Sequence, residues 1–407
     1  MRFLTADQIL SPIGETMTNC VLILEDNGTV EALLTTDEFR RHNSGNDKLE
    51  LFQGWLSPGF INSHCHLELS YLKNQIDQKT GMAGFISQLI NKRFPFEEEV
   101  MQQTYIDAEQ EMIRNGIVAV GDISNVVDTF AQKSKGNLRY YTFIEMFDFL
   151  QEEDALREFE KYKAVYDQLN ALNIAEGSRK SIVPHAPYSV SKNLFRQIND
   201  VNEKTGITVS IHNQETQPEQ DLFQEGKGAF YDFYGKFGIS LDNFKPTNQP
   251  SIYYAMENMN PNNRTLFVHN TLTSQADIEA AQAWSPNVFW ATCPNANLYI
   301  ENRLPNYQYF INAQARVTIG TDSLTSNWQL SILEEMKTIQ RFQSYVPFDT
   351  ILRWATLNGA QALGFDDTLG SIEVGKMPGL NLLSVESGFP HSDSLKILWD
   401  TTVRKIV

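Results

Sequence analysis

Thiols are scarce in this chain. Cys20, Cys65 and Cys293 are the only cysteines among 407 residues. They lie far apart and form no Cys-x-x-Cys pair. That argues against a disulfide framework and fits a reducing compartment. Long apolar runs are missing too. The opening residues, Met1-Arg2-Phe3-Leu4-Thr5-Ala6-Asp7, carry no apolar leader, and no stretch is long enough to span a bilayer. The expectation is a cytoplasmic protein with no membrane partner. Basic residues are in deficit: 33 Lys and Arg stand against 50 Asp and Glu, a formal net charge of −17. This balance argues against nucleic acid and anionic surfaces as partners. No internal repeat and no low-complexity tract is present. With 42% apolar and 20% charged residues, the composition is that of an ordinary globular protein.

Histidine is also rare, and its placement is informative. There are seven. Apart from His42 and His391, all fall at the ends of short apolar, β-like runs. Pro58-Gly59-Phe60-Ile61 leads to His64 and His66, Ser181-Ile182-Val183-Pro184 to His185, Ile207-Thr208-Val209-Ser210-Ile211 to His212, and Leu266-Phe267-Val268 to His269. A further run, 315–321, ends at Asp322. On a strand, residues i and i+2 share a face. His64 and His66 can therefore reach one metal ion, while Cys65 points away.

The middle of the chain alternates strand and helix. Strands are expected at 59–63, 117–123, 138–146, 180–184, 207–211, 265–268, 287–292 and 316–320. Helices are expected at about 98–115, 154–170, 193–204, 274–284, 327–342 and 348–363, with Ser274 and Asp277 resembling a capping box. Eight such alternations fit an α/β chain folded as a (β/α)₈ TIM barrel, whose active site lies at the carboxyl ends of the strands. Both termini read as β-rich, including Leu380–Val385 and Leu395–Trp399. The division expected is 1–57 plus 365–407 as a small β-sandwich domain, and 58–364 as the barrel. The long connection from Glu215 to Arg264 reads equally as a lid or as a peripheral insertion.

The strand ends define a chemistry. His64 and His66 come from the first barrel strand, His212 from the fifth and Asp322 from the eighth. Three imidazoles and a carboxylate suit one divalent ion, Zn²⁺ ahead of Fe²⁺, with a position left for water. Water bound there ionises near neutral pH and becomes a nucleophile. Glu215, three residues after His212, is placed to move protons. His269 either ligates or donates a hydrogen bond to the attacked group; the second role is preferred. Asp322 can also accept a proton.

The segments 58–66, 184–191, 212–216, 268–270 and 320–327 together resemble the amidohydrolase superfamily. Its mononuclear deaminases, acting on cytosine, guanine and S-adenosylhomocysteine or methylthioadenosine, are the branch most similar. Residues 355–364 and 370–376 extend the similarity. The resemblance implies a metal held by His64, His66, His212 and Asp322, with Glu215 as proton shuttle. It further implies His269 as the electrostatic partner of the nucleophile and His185 in the substrate pocket. It also implies a small heterocyclic substrate and a homodimer. Leu67-Glu68-Leu69-Ser70 is similar to aminodeoxyfutalosine deaminases, where an acidic residue and Ser follow the metal pair, so Glu68 is expected at a ribose or other polar substituent or, equally, behind the site in support of the residues that line it. The activity implied is replacement of an exocyclic amine by oxygen, with ammonia released. Hydrolysis of another C–N or C–Cl bond, and a non-catalytic scaffold, are the alternatives.

Overall fold

In the computed structural model, residues 1–42, 48–93, 96–172, 174–203, 206–384 and 400–407 are described. Four strands open the chain: β1 (Arg2–Ile9), β2 (Cys20–Leu24), β3 (Val30–Thr35) and β4 (Leu49–Pro58). Eight follow as the barrel staves: β5 (Phe60–Cys65), β6 (Ile117–Ser124), β7 (Arg139–Met146), β8 (Arg179–Pro184), β9 (Thr208–Asn213), β10 (Arg264–His269), β11 (Val288–Thr292) and β12 (Val317–Ile319). Two more, β13 (Leu380–Leu383) and β14 (Val403–Lys405), close the chain. Thus all eight expected staves form, within two residues of the expected ends.

The staves pair in parallel as β5-β6-β7-β8 and β9-β10-β11-β12. Their apolar runs are buried on both faces, as a parallel sheet covered by helices requires. Two seams complete the ring. At β8–β9, the His212 N–H donates to the His185 carbonyl at 2.9 Å, and Ser181 Oγ donates to the Thr208 carbonyl at 2.7 Å. At β12–β5, the N–H groups of Thr321 and Asp322 both donate to the His64 carbonyl, at 3.1 and 3.0 Å. Gly320 permits this approach. A Cβ there would lie 2.8 Å from both the Cβ and the carbonyl oxygen of His64.

The expected capping box forms at Ser274 and Asp277, opening the helix Gln275–Trp284. The single helix expected at 348–363 is two, Phe348–Ala355 and Leu357–Leu363. Thr356 breaks it: its Oγ1 donates to the Leu352 carbonyl at 2.7 Å, taking the acceptor its own N–H would use in a continuous helix. The 216–263 segment holds three helices, Gln217–Glu225, Ala229–Lys236 and Ser251–Asn258. Its aromatic residues pack inward, Phe230 against Tyr188 at 4.6 Å and Phe223 against Tyr254 at 5.3 Å between centroids. The helix Gly81–Lys92 went unanticipated, and it matters for the site.

Strands from both termini form one six-stranded mixed sheet, ordered β14-β13-β4-β1-β2-β3. Leu4, Leu22, Leu24, Leu56 and Leu380 are in its core. β4 runs directly into β5, so the small sheet is attached to the first stave. The expected strand Leu395–Trp399 lies outside the described residues, as does Val385.

Candidate metal and catalytic site

The two histidines of β5 alternate with Cys65, which is fully buried in the hydrophobic core. His64 and His66 bring their Nε2 atoms to 3.2 Å from each other. Asp322 Oδ1 lies 3.8 Å from His64 Nε2 and 3.5 Å from His66 Nε2. Donor atoms of His64, His66 and Asp322 all fall within 4.8 Å of one another, and so do those of His64, His212 and His269. Two neutral ring nitrogens this close repel unless a proton or cation lies between them.

The surrounding hydrogen bonds fix which nitrogens are free. His212 Nδ1 is 2.8 Å from the His185 carbonyl, which only accepts, so Nδ1 carries the proton and Nε2 keeps its lone pair. His269 Nδ1 similarly donates to Asn297 Oδ1 at 2.9 Å. His185 Nδ1 is 2.6 Å from Ser189 Oγ, whose own proton goes to the Ala186 carbonyl at 3.2 Å. In these three rings the outer nitrogen is tied down, the arrangement that orients imidazoles toward a metal. His64 Nδ1 is buried without a partner. Asp322 accepts from Ser326 Oγ at 2.7 Å through Oδ2, leaving Oδ1 toward the histidines.

Burial keeps these imidazoles neutral. It drives His64 and His212 well below the ordinary histidine value, and neighbouring rings lower them further. His66 and His269 are also lowered by burial, with Asp322 opposing. His185 falls to about 3, again chiefly through burial. Neutral nitrogen is the form that ligates. Glu215 shifts the other way. Burial, then Asp322, Glu219 and Glu301, push it well above the usual carboxylate range. Its Oε1 stands 3.5 Å from His269 Nε2.

The backbone is strained where these side chains emerge. Gln214, His269, Asn270 and Asp322 have φ of 45°, 71°, 58° and 56°. Non-glycine residues hold such left-handed angles at a cost, and they cluster at functional sites.

The six groups His66, His185, His212, Glu215, His269 and Asp322 line a cavity of about 100 Å³. Met82, Phe85, Ile86 and Leu89, all on the helix Gly81–Lys92, supply its apolar wall. Glu68 does not line it. That carboxylate lines a separate cleft of about 430 Å³, with Arg93, Tyr71, Phe147 and Tyr162. Its Oε2 accepts the N–H groups of Asn125 and Val126 at 2.9 and 3.3 Å, and burial raises it to about 7. A larger cavity, about 480 Å³, lies between residues 150–153 and 240–247 and contains none of these groups.

Glu145 was missed in the sequence. It sits near the end of β7, 3.5 Å from His212 Nδ1, and accepts from Asn125 Nδ2 at 3.1 Å. Burial pushes it up to about 8. A carboxylate inside the apolar run Phe143-Ile144-Glu145-Met146 was the available signal. Glu219 was missed too, because its chemistry depends on a loop conformation that composition does not reveal.

A closed α/β barrel with buried histidines and an aspartate at the carboxyl ends of its strands defines the class: a barrel hydrolase of the metal-dependent kind. The chain belongs to the amidohydrolase family, which matches residues 55–403. It is similar to an adenosine deaminase of Helicobacter pylori, 26% identical over 84% of this chain and 81% of that protein. It is also similar to a 5-methylthioadenosine/S-adenosylhomocysteine deaminase of Bacillus cytotoxicus, 25% identical over 90% of this chain and 81% of that one. Among solved structures, Helicobacter pylori aminofutalosine deaminase in complex with methylthio-coformycin superimposes with a TM-score of 0.83 at 21% identity, covering 100% of both chains. At that identity the likeness establishes the fold.

Proposed function

We propose that this chain is a metal-dependent deaminase that replaces an exocyclic amine of a purine-like, nucleoside-type heterocycle by oxygen and releases ammonia. The observation that supports the reading is a pair of donor groups sharing His64, namely His64 with His66 and Asp322 and His64 with His212 and His269, each within 4.8 Å, with Glu215 Oε1 3.5 Å from His269 Nε2. The donor set fits a metal, since the free ring nitrogens and one carboxylate oxygen converge without a cationic partner. His64, His66, His212 and Asp322 would hold one divalent ion, Zn²⁺ before Fe²⁺. Bound there, the ion supplies Lewis acidity and acidifies a water molecule to near neutrality.

The rest is the work of the protein's own side chains. Glu215 is a proton carrier, because its raised affinity for protons lets it take one and deliver it to a ring nitrogen. His269 donates toward the attacked centre from Nε2 when protonated, or orients the attacking group when neutral. Asp322 passes a second proton to the departing amine. His185 lines the pocket opposite. The apolar wall from Met82 to Leu89 excludes bulk water. The small cavity suits a single heterocycle. The cleft at Glu68 suits the polar remainder of a larger substrate, which the named nucleoside substrates of the relatives support. Residues 58–364 form the catalytic unit in this reading, and 1–57 with 365–407 the small β unit.

The test is ammonia release by zinc-loaded protein from adenosine, methylthioadenosine, guanine and cytosine, with zinc per chain measured alongside. Preferred turnover of an adenosine-type nucleoside is expected. Full zinc with no ammonia from any aminated heterocycle would sink the deaminase reading. Full zinc occupancy in His212→Ala would remove that residue from the ligand set.

A further inference from the structure

The helix Gln217–Glu225 starts immediately after Glu215-Thr216. Its third residue, Glu219, is fully buried. No Lys or Arg lies within ion-pair distance of it among the described residues. Its partners are backbone N–H groups and one hydroxyl. Oε1 accepts from Gln214 N at 3.0 Å and from Ser251 Oγ at 2.5 Å, and Oε2 accepts from Glu215 N at 3.0 Å.

Ordinary helix capping accounts for only part of this. A glutamate at the third position of a helix reaches back to the N–H of the N-cap residue. Here the N-cap is Thr216, whose N–H also favours the Glu219 carboxylate. Glu219 in addition reaches one and two residues further, to the N–H of Glu215 itself and of Gln214. Gln214 is in the left-handed region, so its N–H turns inward beside that of Glu215. Two successive amides grip the two oxygens of one carboxylate and hold the loop in a single conformation. The Glu215 side chain leaves that loop toward His269.

We infer that Glu219 is a positioning residue for Glu215, and that the 216–263 segment acts through Ser251 as a brace that fixes Glu219. This rests on the reading of Glu215 as the proton carrier. Ser251 opens the helix Ser251–Asn258 and is itself buried. Its hydroxyl holds the Glu219 carboxylate in the rotamer that meets both amides. The long segment between β9 and β10 thus contributes to the site through Glu219 and Ser251, without lining its cavity.

The experiment compares Glu219→Gln, Ser251→Ala, Ser251→Thr and Glu215→Gln in zinc-loaded protein. It reads kcat, KM, zinc per chain and amide hydrogen exchange in the 212–216 peptide. A glutamine keeps the volume but turns an NH₂ group toward one of the two amides. Glu219→Gln is expected to lose about 10–100-fold in kcat, the scale of a misplaced catalytic group. Its KM and zinc content should hold, and exchange should quicken at 214 and 215. Ser251→Ala should lose about threefold, in keeping with one hydrogen bond. Ser251→Thr, which keeps the hydroxyl, should restore the rate. Wild-type kcat in Glu219→Gln beside an inactive Glu215→Gln overturns the inference and leaves the function standing. A fully active Glu215→Gln overturns the function instead. Parallel loss of zinc and kcat in Glu219→Gln marks a structural role and also overturns the inference. Should Glu219→Gln not fold, equal rates in Ser251→Ala and Ser251→Thr do so.

Discussion

The two ends of the barrel treat polar groups in opposite ways. At the amino-terminal end, arginines start or immediately precede several staves, and each finds a local partner. Arg264 donates to the Gly206 carbonyl and to Thr208 Oγ1 at 3.2 and 3.1 Å. Arg139 donates to Thr368 Oγ1. Arg139 and Arg179 flank the ring of Phe365 at 5.7 and 5.6 Å, and Arg316 lies 4.0 Å over Phe289. At the carboxyl end, polar atoms are buried and left over. His64 Nδ1 has no hydrogen-bond partner, Glu68 Oε1 and Glu145 Oε1 have only Arg93 at 3.8 Å and His212 Nδ1 at 3.5 Å, and the backbone at 214, 269, 270 and 322 is strained. Buried polar atoms in proteins are usually satisfied. Arginines that each find a local partner at one end, and titratable side chains crowded on strained backbone at the other, separate the part of the barrel that supports from the part that reacts.

Substitutions at the two ends should therefore fail differently. The largest effect belongs to Glu215→Gln at the reactive end. It should keep its zinc and melt near the wild-type temperature while losing about 10²–10⁴-fold in turnover. Near wild-type turnover would move the proton carrier elsewhere, with His269 first to test. Arg264→Met at the supporting end should do the reverse. Two hydrogen bonds vanish, so stability should fall by about 1–2 kcal/mol in urea unfolding, with kcat unchanged. A loss of kcat at constant stability would erase the distinction between the ends.

The last effect is confined to acid conditions. Burial lowers His185 to about 3, against 6.5 for the free side chain. Between those values the unfolded chain binds the extra proton. The histidine's contribution to stability is therefore full above pH 6.5 and drains away as pH falls toward 3. In metal-free protein, His185→Asn should flatten the fall of unfolding free energy below pH 6.5, by up to about 1.4 kcal/mol per pH unit. Parallel wild-type and variant curves would show that His185 titrates normally.

Much of the barrel was legible because its signal is local. Apolar runs with β-branched residues mark β5 to β12, and a histidine or aspartate at the end of a run marks which end faces the site. The alternation His64-Cys65-His66 encodes its own geometry, since a strand puts the first and third residues on one face. Other features depend on contacts distant in sequence. Glu68 is expected at a polar substituent by resemblance alone, and only the fold shows that the backbone of Asn125 and Val126 holds it at a separate cleft. Glu145 has no flanking motif, and only the pairing of β7 with β8 together with the β8–β9 seam brings it to His212. The helix Gly81–Lys92 has an apolar face like many others, and nothing in its own residues says that the face covers a pocket. Thr356 has a side chain compatible with helix, and its competing bond to Leu352 appears only when the turn is built.

The seam between β12 and β5 bears on how the protein comes to exist in a cell. Asn62 and Thr321 are joined by hydrogen bonds across 259 residues of sequence, and His64 meets Asp322 at the same place. During synthesis at about 5–20 residues per second, the first histidine pair waits at least ten seconds or so for its partner aspartate. Contacts this distant in sequence form late, since loop closure comes before any reward. The full four-residue pocket is thus one of the last parts of the molecule to be assembled, and a nascent chain released before Asp322 carries the histidines without the site.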